Sequence, residues 1–196
     1  MDLTFIYSAE SEVQRVKQTS SKSAWFKQFN YRLFFPKGFD LDTEDFSNLK
    51  SQVKKELIPD KMKKIEQKIN EDWVINGEHI NNFLDSIPYE IPKSLVITLT
   101  QYGVGGSYWL PNRIIINTNY SWLDGFETLI HELVHLLIEK PIIQKYKLGH
   151  ESKEALIDYA MTHNQYLKKI FPNYKIQKDF LNHLPDKKFL NKLDWI

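Results

Sequence analysis

Gly125-Phe-Glu-Thr-Leu-Ile-His131-Glu132-Leu-Val-His135-Leu-Leu-Ile-Glu-Lys140 is the stretch on which the reading of the chain turns. His131 and His135 stand four residues apart, so on a helix their side chains lie one turn above each other on one face. Both imidazoles then reach one metal ion, and Glu132 beside the first reaches the metal's water. Leu129, Ile130, Leu133, Val134, Leu136, Leu137 and Ile138 make the segment apolar around most of its girth, which predicts a buried central helix. Asp124 with Glu127 three residues on forms a capping-box-like start, and Pro141 is expected to stop the run. Two histidines and a glutamate in a buried helix need polar partners, and a metal supplies them. The blander reading makes the histidines core side chains bonded to their neighbours.

A third ligand decides between the two, because a catalytic zinc takes three protein ligands and leaves one position open. Glu151-Ser-Lys-Glu154-Ala-Leu-Ile-Asp158 offers it. Glu154 follows His135 beyond a turn made by Pro141 and Gly149, which leaves room for a second helix to fold back. Asp158 lies four residues after Glu154, so the two carboxylates share a face. Glu154 then binds the metal, and Asp158 accepts the free ring N–H of a ligand histidine and fixes its tautomer.

With HELVH followed by Glu154 and Asp158 as ExxxD, the chain resembles the gluzincin branch of the zincin metallopeptidases, the group typified by thermolysin. Its shortness is similar to that of the single-domain minigluzincins. The resemblance covers about Ser94 to Met161. The residues after His135, Leu-Leu-Ile-Glu-Lys-Pro141, lack the glycine and third histidine of metzincins, and the inverted motif HxxEH is absent. The resemblance implies an α+β, zincin-like fold: a small mixed sheet packed on a central active-site helix, with a mainly helical C-terminal part.

The remaining chain fits a single catalytic domain over residues 1–196, with an N-terminal α/β part to about 140 and a helical part from about 141. Hydrophobic residues make up 42%, with 12 Phe, 10 Tyr and 5 Trp, enough for a core and against disorder. The net charge of +1 comes without a basic block, so nucleic acid is not an expected partner; Lys54-Lys55 and Lys61 to Lys64 read as solvated helix faces. Cysteine is absent, which removes disulfides and thiolate metal sites together. The opening MDLTFIYSAE has neither a basic nor an apolar leader region, and no apolar run reaches membrane-spanning length. The expectation is a cytoplasmic protein, although a secreted chain without its leader reads the same way.

Outward from the motif, Ser94 to Gln101 and Arg113 to Asn119 read as strands, and Leu3 to Ser8 as a third by its alternation. Tyr31 to Phe35 reads as a strand ending at Pro36, and Glu10 to Ser23 as a short helix or loop. Helical spacing predicts helices over 42–57, about 60–74, and 79–87. After the motif, Ser152 to Ile170 reads as one helix and Lys175 to Leu184 as another. The tail from Pro185 to Ile196 is apolar for a terminus and is expected to dock on the body, with a place near the cleft as the alternative.

In zincins an edge strand beside the metal pairs with extended substrate, so by resemblance Tyr102, Gly103, Val104, Gly105, Gly106 and Ser107 form the substrate rim. A flexible connector with packed aromatics is the competing reading. One catalytic zinc is expected on His131, His135 and Glu154, with Glu132 as the general base that takes the water's proton. The group that steadies the oxyanion is open among His163, Tyr159 and Tyr166 on the helix after Glu154, Tyr108 and Tyr102 on the rim loop, and His150 and His183 outside both. The expected activity is hydrolysis of a peptide or protein substrate. Endopeptidase is favoured because the GxMxN-type exopeptidase signature is missing. The rivals are a catalytically silent zincin-fold binding or regulatory module, against which intact Glu132 argues, and a metal-free helical protein.

Overall fold

A computed structural model describes residues 1–41, 46–119, 125–176 and 178–196. The chain is α+β, mainly helical with one small mixed sheet. It divides into two compact units, each assembled from two separated stretches: Met1–Asn70 with Lys93–Leu129, and Glu71–Pro92 with Ile130–Ile196.

The first unit contains the sheet. Strands β1 (Asp2–Ile6), β2 (Ser94–Thr100), β3 (Gly106–Trp109) and β4 (Arg113–Asn117) lie in the order β1-β2-β4-β3. β1 pairs parallel to β2, with Leu3 opposite Leu95, and β2 parallel to β4, with Ile97 opposite Ile114. β3 runs antiparallel along β4, with Ser107 opposite Ile115, and forms an edge. The period-two alternation of SLVITLT buries Leu95, Ile97 and Leu99 on one face, joined by Ile114 and Ile116 from β4.

Helix α1 (Ala9–Ser21) starts at a reciprocal cap: Ser11 N–H donates to the Ser8 hydroxyl, and Ser8 N–H donates to the Ser11 hydroxyl. Its buried face carries Glu12, Arg15, Thr19 and Ser20 as well as Ala9 and Val16. Buried polar groups need partners, and Glu12 and Arg15 find theirs on the sheet side of the unit. Glu12 accepts from Gln101 N–H at 2.8 Å and from the Thr100 hydroxyl, and Arg15 donates to the Ser107 hydroxyl at 3.0 Å. α2 (Ser23–Gln28) follows, and α3 (Leu49–Glu56) adds Leu49 and Val53 to a core with Val16 and Tyr102.

α4 (Pro59–Ile75), α5 (Gly77–Ser86) and α6 (Gly125–Ile138) lie close to their expected positions. α6 is buried at Leu129, Ile130, Leu133, Val134, Leu136, Leu137 and Ile138, as its apolar girth requires. In the second unit α7 (His150–His163) and α8 (Leu167–Ile170) follow, then a 3₁₀ segment, Lys178–His183, and α9 (Lys187–Leu190).

Several expectations are corrected. Tyr31 to Phe35 forms no strand but a single bridge, Phe34 to Gly103, because Gly103 sits at φ +86° and bends the partner chain away. The segment between β2 and β4 is no mere connector, since its second half is β3. Pro141 does not end the helical path, which widens into a π-helical turn over Glu139–Gln144. The wider turn removes the demand for a proline N–H and relieves the ring's clash with the carbonyl four residues back. Ser152 to Ile170 is broken at Asn164, whose side-chain oxygen accepts from Tyr166 and Leu167 N–H at 2.9 and 3.1 Å and so starts α8. The helix expected over 42–57 is shorter, running only over Leu49–Glu56 as α3 with a turn before it, and residues 42–45 and the cap at Asp124 lie outside the described residues. The tail docks within the second unit: Trp195 is buried, packs edge-on against Phe83, and accepts from the Asn164 amide through its carbonyl.

Candidate metal centre

Helical spacing brings the two motif histidines together: the ring centroids of His131 and His135 are 4.8 Å apart, and their Nε2 atoms 3.1 Å. α7 contributes Glu154, whose Oε2 lies 3.2 Å from His135 Nε2 and 3.5 Å from His131 Nε2. Ligand atoms about 2.1 Å from a tetrahedral zinc stand about 3.4 Å from one another, and these three separations are of that size. Three lone-pair atoms thus converge on one point inside the protein, with His135 and Glu154 buried. Only protons or a cation can separate them. The donor set of two imidazoles and one carboxylate could hold a metal ion, and its chemistry is compatible with zinc. Among the described residues this is the one group of His, Cys, Asp and Glu so arranged.

The electrostatics are those of a strained proton-sharing set. Burial alone would raise the Glu154 carboxyl, but His135 and His131 beside it hold it well below the usual carboxylate range. Burial opposes charge on His131, yet its hydrogen bond to Glu154 and the carboxylates of Glu132, Glu154 and Asp158 outweigh that and raise it. His135 is driven down to about 4, chiefly by burial. His131 is thus favoured in its charged form, and His135 in its neutral one, the form that binds metal.

Around the set, the other carboxylate oxygen of Glu154 faces His150 Nδ1 at 3.5 Å and Lys153 at 4.0 Å. Asp158 is tied to His131 through a residue that the sequence did not point to. The Tyr174 hydroxyl donates to Asp158 Oδ1 at 2.7 Å and lies 2.9 Å from His131 Nδ1. Tyr174 follows the turn at Phe171-Pro172-Asn173, so no helical period connects it to either partner. The general-base candidate Glu132 is buried on α6, close enough to His131 for its charge to act there.

The other nominated residues are placed elsewhere. Tyr159 and His163 stack on each other along α7, centroids 3.8 Å apart. Tyr166 begins α8. His183 faces Glu151 at 3.7 Å. Tyr108, Gly106 and Ser107 belong to the edge strand β3 of the first unit, half-buried. Tyr102, Gly103 and Val104 are buried in that unit's core instead, with the Tyr102 hydroxyl donated to Glu56 at 2.9 Å. Among the described residues no helix is long and apolar enough to cross a membrane. Comparison of the chain with protein-family models, with curated proteins and with solved structures gives no match.

Proposed function

We propose that the chain is a zinc-dependent peptidase of the gluzincin kind, with a zincin-like fold, hydrolysing internal bonds of a peptide or protein substrate. The observation that carries the reading is the mutual spacing of His131, His135 and Glu154, which matches the separations within a tetrahedral zinc site. A mixed sheet with an antiparallel edge strand, preceding the HExxH helix in the chain, supports it further. The near-neutral composition speaks against nucleic acid as a partner.

His131, His135 and Glu154 hold the ion, which when bound supplies Lewis acidity toward water and toward the substrate carbonyl. Glu132, adjacent to a ligand but not one, accepts the proton that water loses and passes it to the leaving amine.

Glu132→Gln separates the enzyme from the silent-module reading. The amide keeps the shape and cannot take the proton, so zinc content is expected to stay whole while cleavage of a peptide library, read by mass spectrometry, drops by about 10²- to 10⁴-fold. Equal cleavage by the zinc-loaded variant would remove Glu132 from the mechanism. A zinc-loaded wild type that cleaves nothing would favour the binding module.

A further inference from the structure

The hydrogen bonds around Tyr174 can be counted proton by proton. Its hydroxyl has one proton, and that hydroxyl is the donor toward Asp158 Oδ1. The contact of 2.7 Å between them therefore uses the tyrosine's proton. That leaves only lone pairs on the phenol oxygen to face His131 Nδ1, 2.9 Å away. Two acceptors would repel at that distance, so Nδ1 carries hydrogen. His131 Nε2 is then the nitrogen left with a lone pair to offer, and it is the atom turned toward His135 and Glu154.

We propose that Tyr174 is the positioning residue of the metal centre: it relays the charge of Asp158 to His131 and fixes the tautomer that presents Nε2 to the ion. The proposal rests on the zinc reading above, but its geometry does not depend on metal being bound. Tyr174 ring and His131 ring are tilted by only 20°, with centroids 6.5 Å apart, so the phenol meets the imidazole near its edge. That approach suits an in-plane hydrogen bond from Nδ1–H. The relay also explains how a carboxylate on α7, four residues past the ligand Glu154, acts on a histidine of α6. The tyrosine, placed by the turn after α8, spans the interval.

Tyr174→Phe removes one oxygen and keeps the ring, and Asp158→Ala removes the far end of the relay. Zinc affinity of each, and of the double variant, is measured by competition with a chromophoric chelator. The Phe variant is expected to bind about 10- to 100-fold more weakly than wild type, and the double variant no more weakly than the Phe variant. Unchanged affinity in Tyr174→Phe, or additive losses in the double variant, would overturn the relay. Nitrogen-15 NMR of His131 in the metal-free wild type gives a reading that needs no zinc. A hydrogen-bonded Nδ1–H that becomes fast-exchanging in Tyr174→Phe is the expected result, and a bare Nδ1 would refute it. A wild type that takes up no zinc but shows the protected Nδ1–H would sink the peptidase reading and leave the relay standing.

Discussion

Glu12→Gln tests the energetics of the sheet unit. Glu12 is fully buried on α1, and burial pushes its carboxyl up to about 7, against the downward pull of Thr100, Gln101 N–H, Arg15 and Lys61. The folded protein thus holds a proton at Glu12 over a range where the unfolded chain, with its ordinary value of 4.5, has released it. Wherever the native state binds more protons, stability falls as pH rises. Glu12 consequently costs nothing below about pH 4.5, costs progressively more up to about 7, and a constant amount above. At about 1.36 kcal/mol per pH unit, the gap amounts to roughly 3 kcal/mol. The Gln amide can still accept from Gln101 N–H and can donate to the Thr100 hydroxyl, so the variant is expected to keep the fold and lose the slope. Urea unfolding of both proteins at stepped pH gives the difference directly. It should be near zero or slightly against the variant at about pH 4.5, and favour it by up to about 3 kcal/mol at about pH 8. A difference that does not change with pH would show that Glu12 ionises normally and that the buried-carboxyl reasoning is wrong.

Zinc and protons compete at His131, whose charged form its neighbours favour, while His135 at about 4 is already neutral. Metal content after dialysis at falling pH should therefore decline through the mildly acid range, and constancy down to about pH 4 would place the metal elsewhere. Gly103→Ala is expected to cost about 2–4 kcal/mol in urea unfolding, because φ is +86° and the added carbon would collide with the Arg15 guanidinium and with Thr19 Oγ1. A neutral result would mean that the Arg15 network yields freely. Trp195→Ala should destabilise by about 3–5 kcal/mol without increasing peptidase activity, since the indole packs on Phe83. A gain in cleavage would instead make the tail a plug.

Where one physical signal dominates, the sequence was a sufficient guide. The alternation of SLVITLT marked β2, and the girth of α6 with its two histidines one turn apart marked the helix and the nitrogens that meet on it. Glu154 was legible by the same helical arithmetic, transferred to α7. The failures occur where a tertiary partner overrides local pattern. Glu10 to Ser23 read only as a short helix or loop because the groups that satisfy Glu12 and Arg15 on α1 come from distant sequence, at Thr100, Gln101 and Ser107. β3 is four residues long and starts at glycine, so its strand character comes from β4. Tyr174 carries no periodic signal. It lies beyond a proline turn, and only the folded chain brings its hydroxyl between His131 and Asp158.

The interleaving of the two units sets an order on synthesis. A chain emerging N-terminus first has all residues of the sheet unit once Leu129 is out, while Glu71–Pro92 must wait for Ile130–Ile196. His131 and His135 come directly after that point, Glu154 later, and Tyr174 later still. Phe83 receives its Trp195 partner more than a hundred residues after it has itself been made. A nascent chain therefore offers a passing metal ion no more than two loosely held imidazoles until the sheet has had the chance to close. Neither unit is a continuous stretch, so no simple truncation would isolate one from the other.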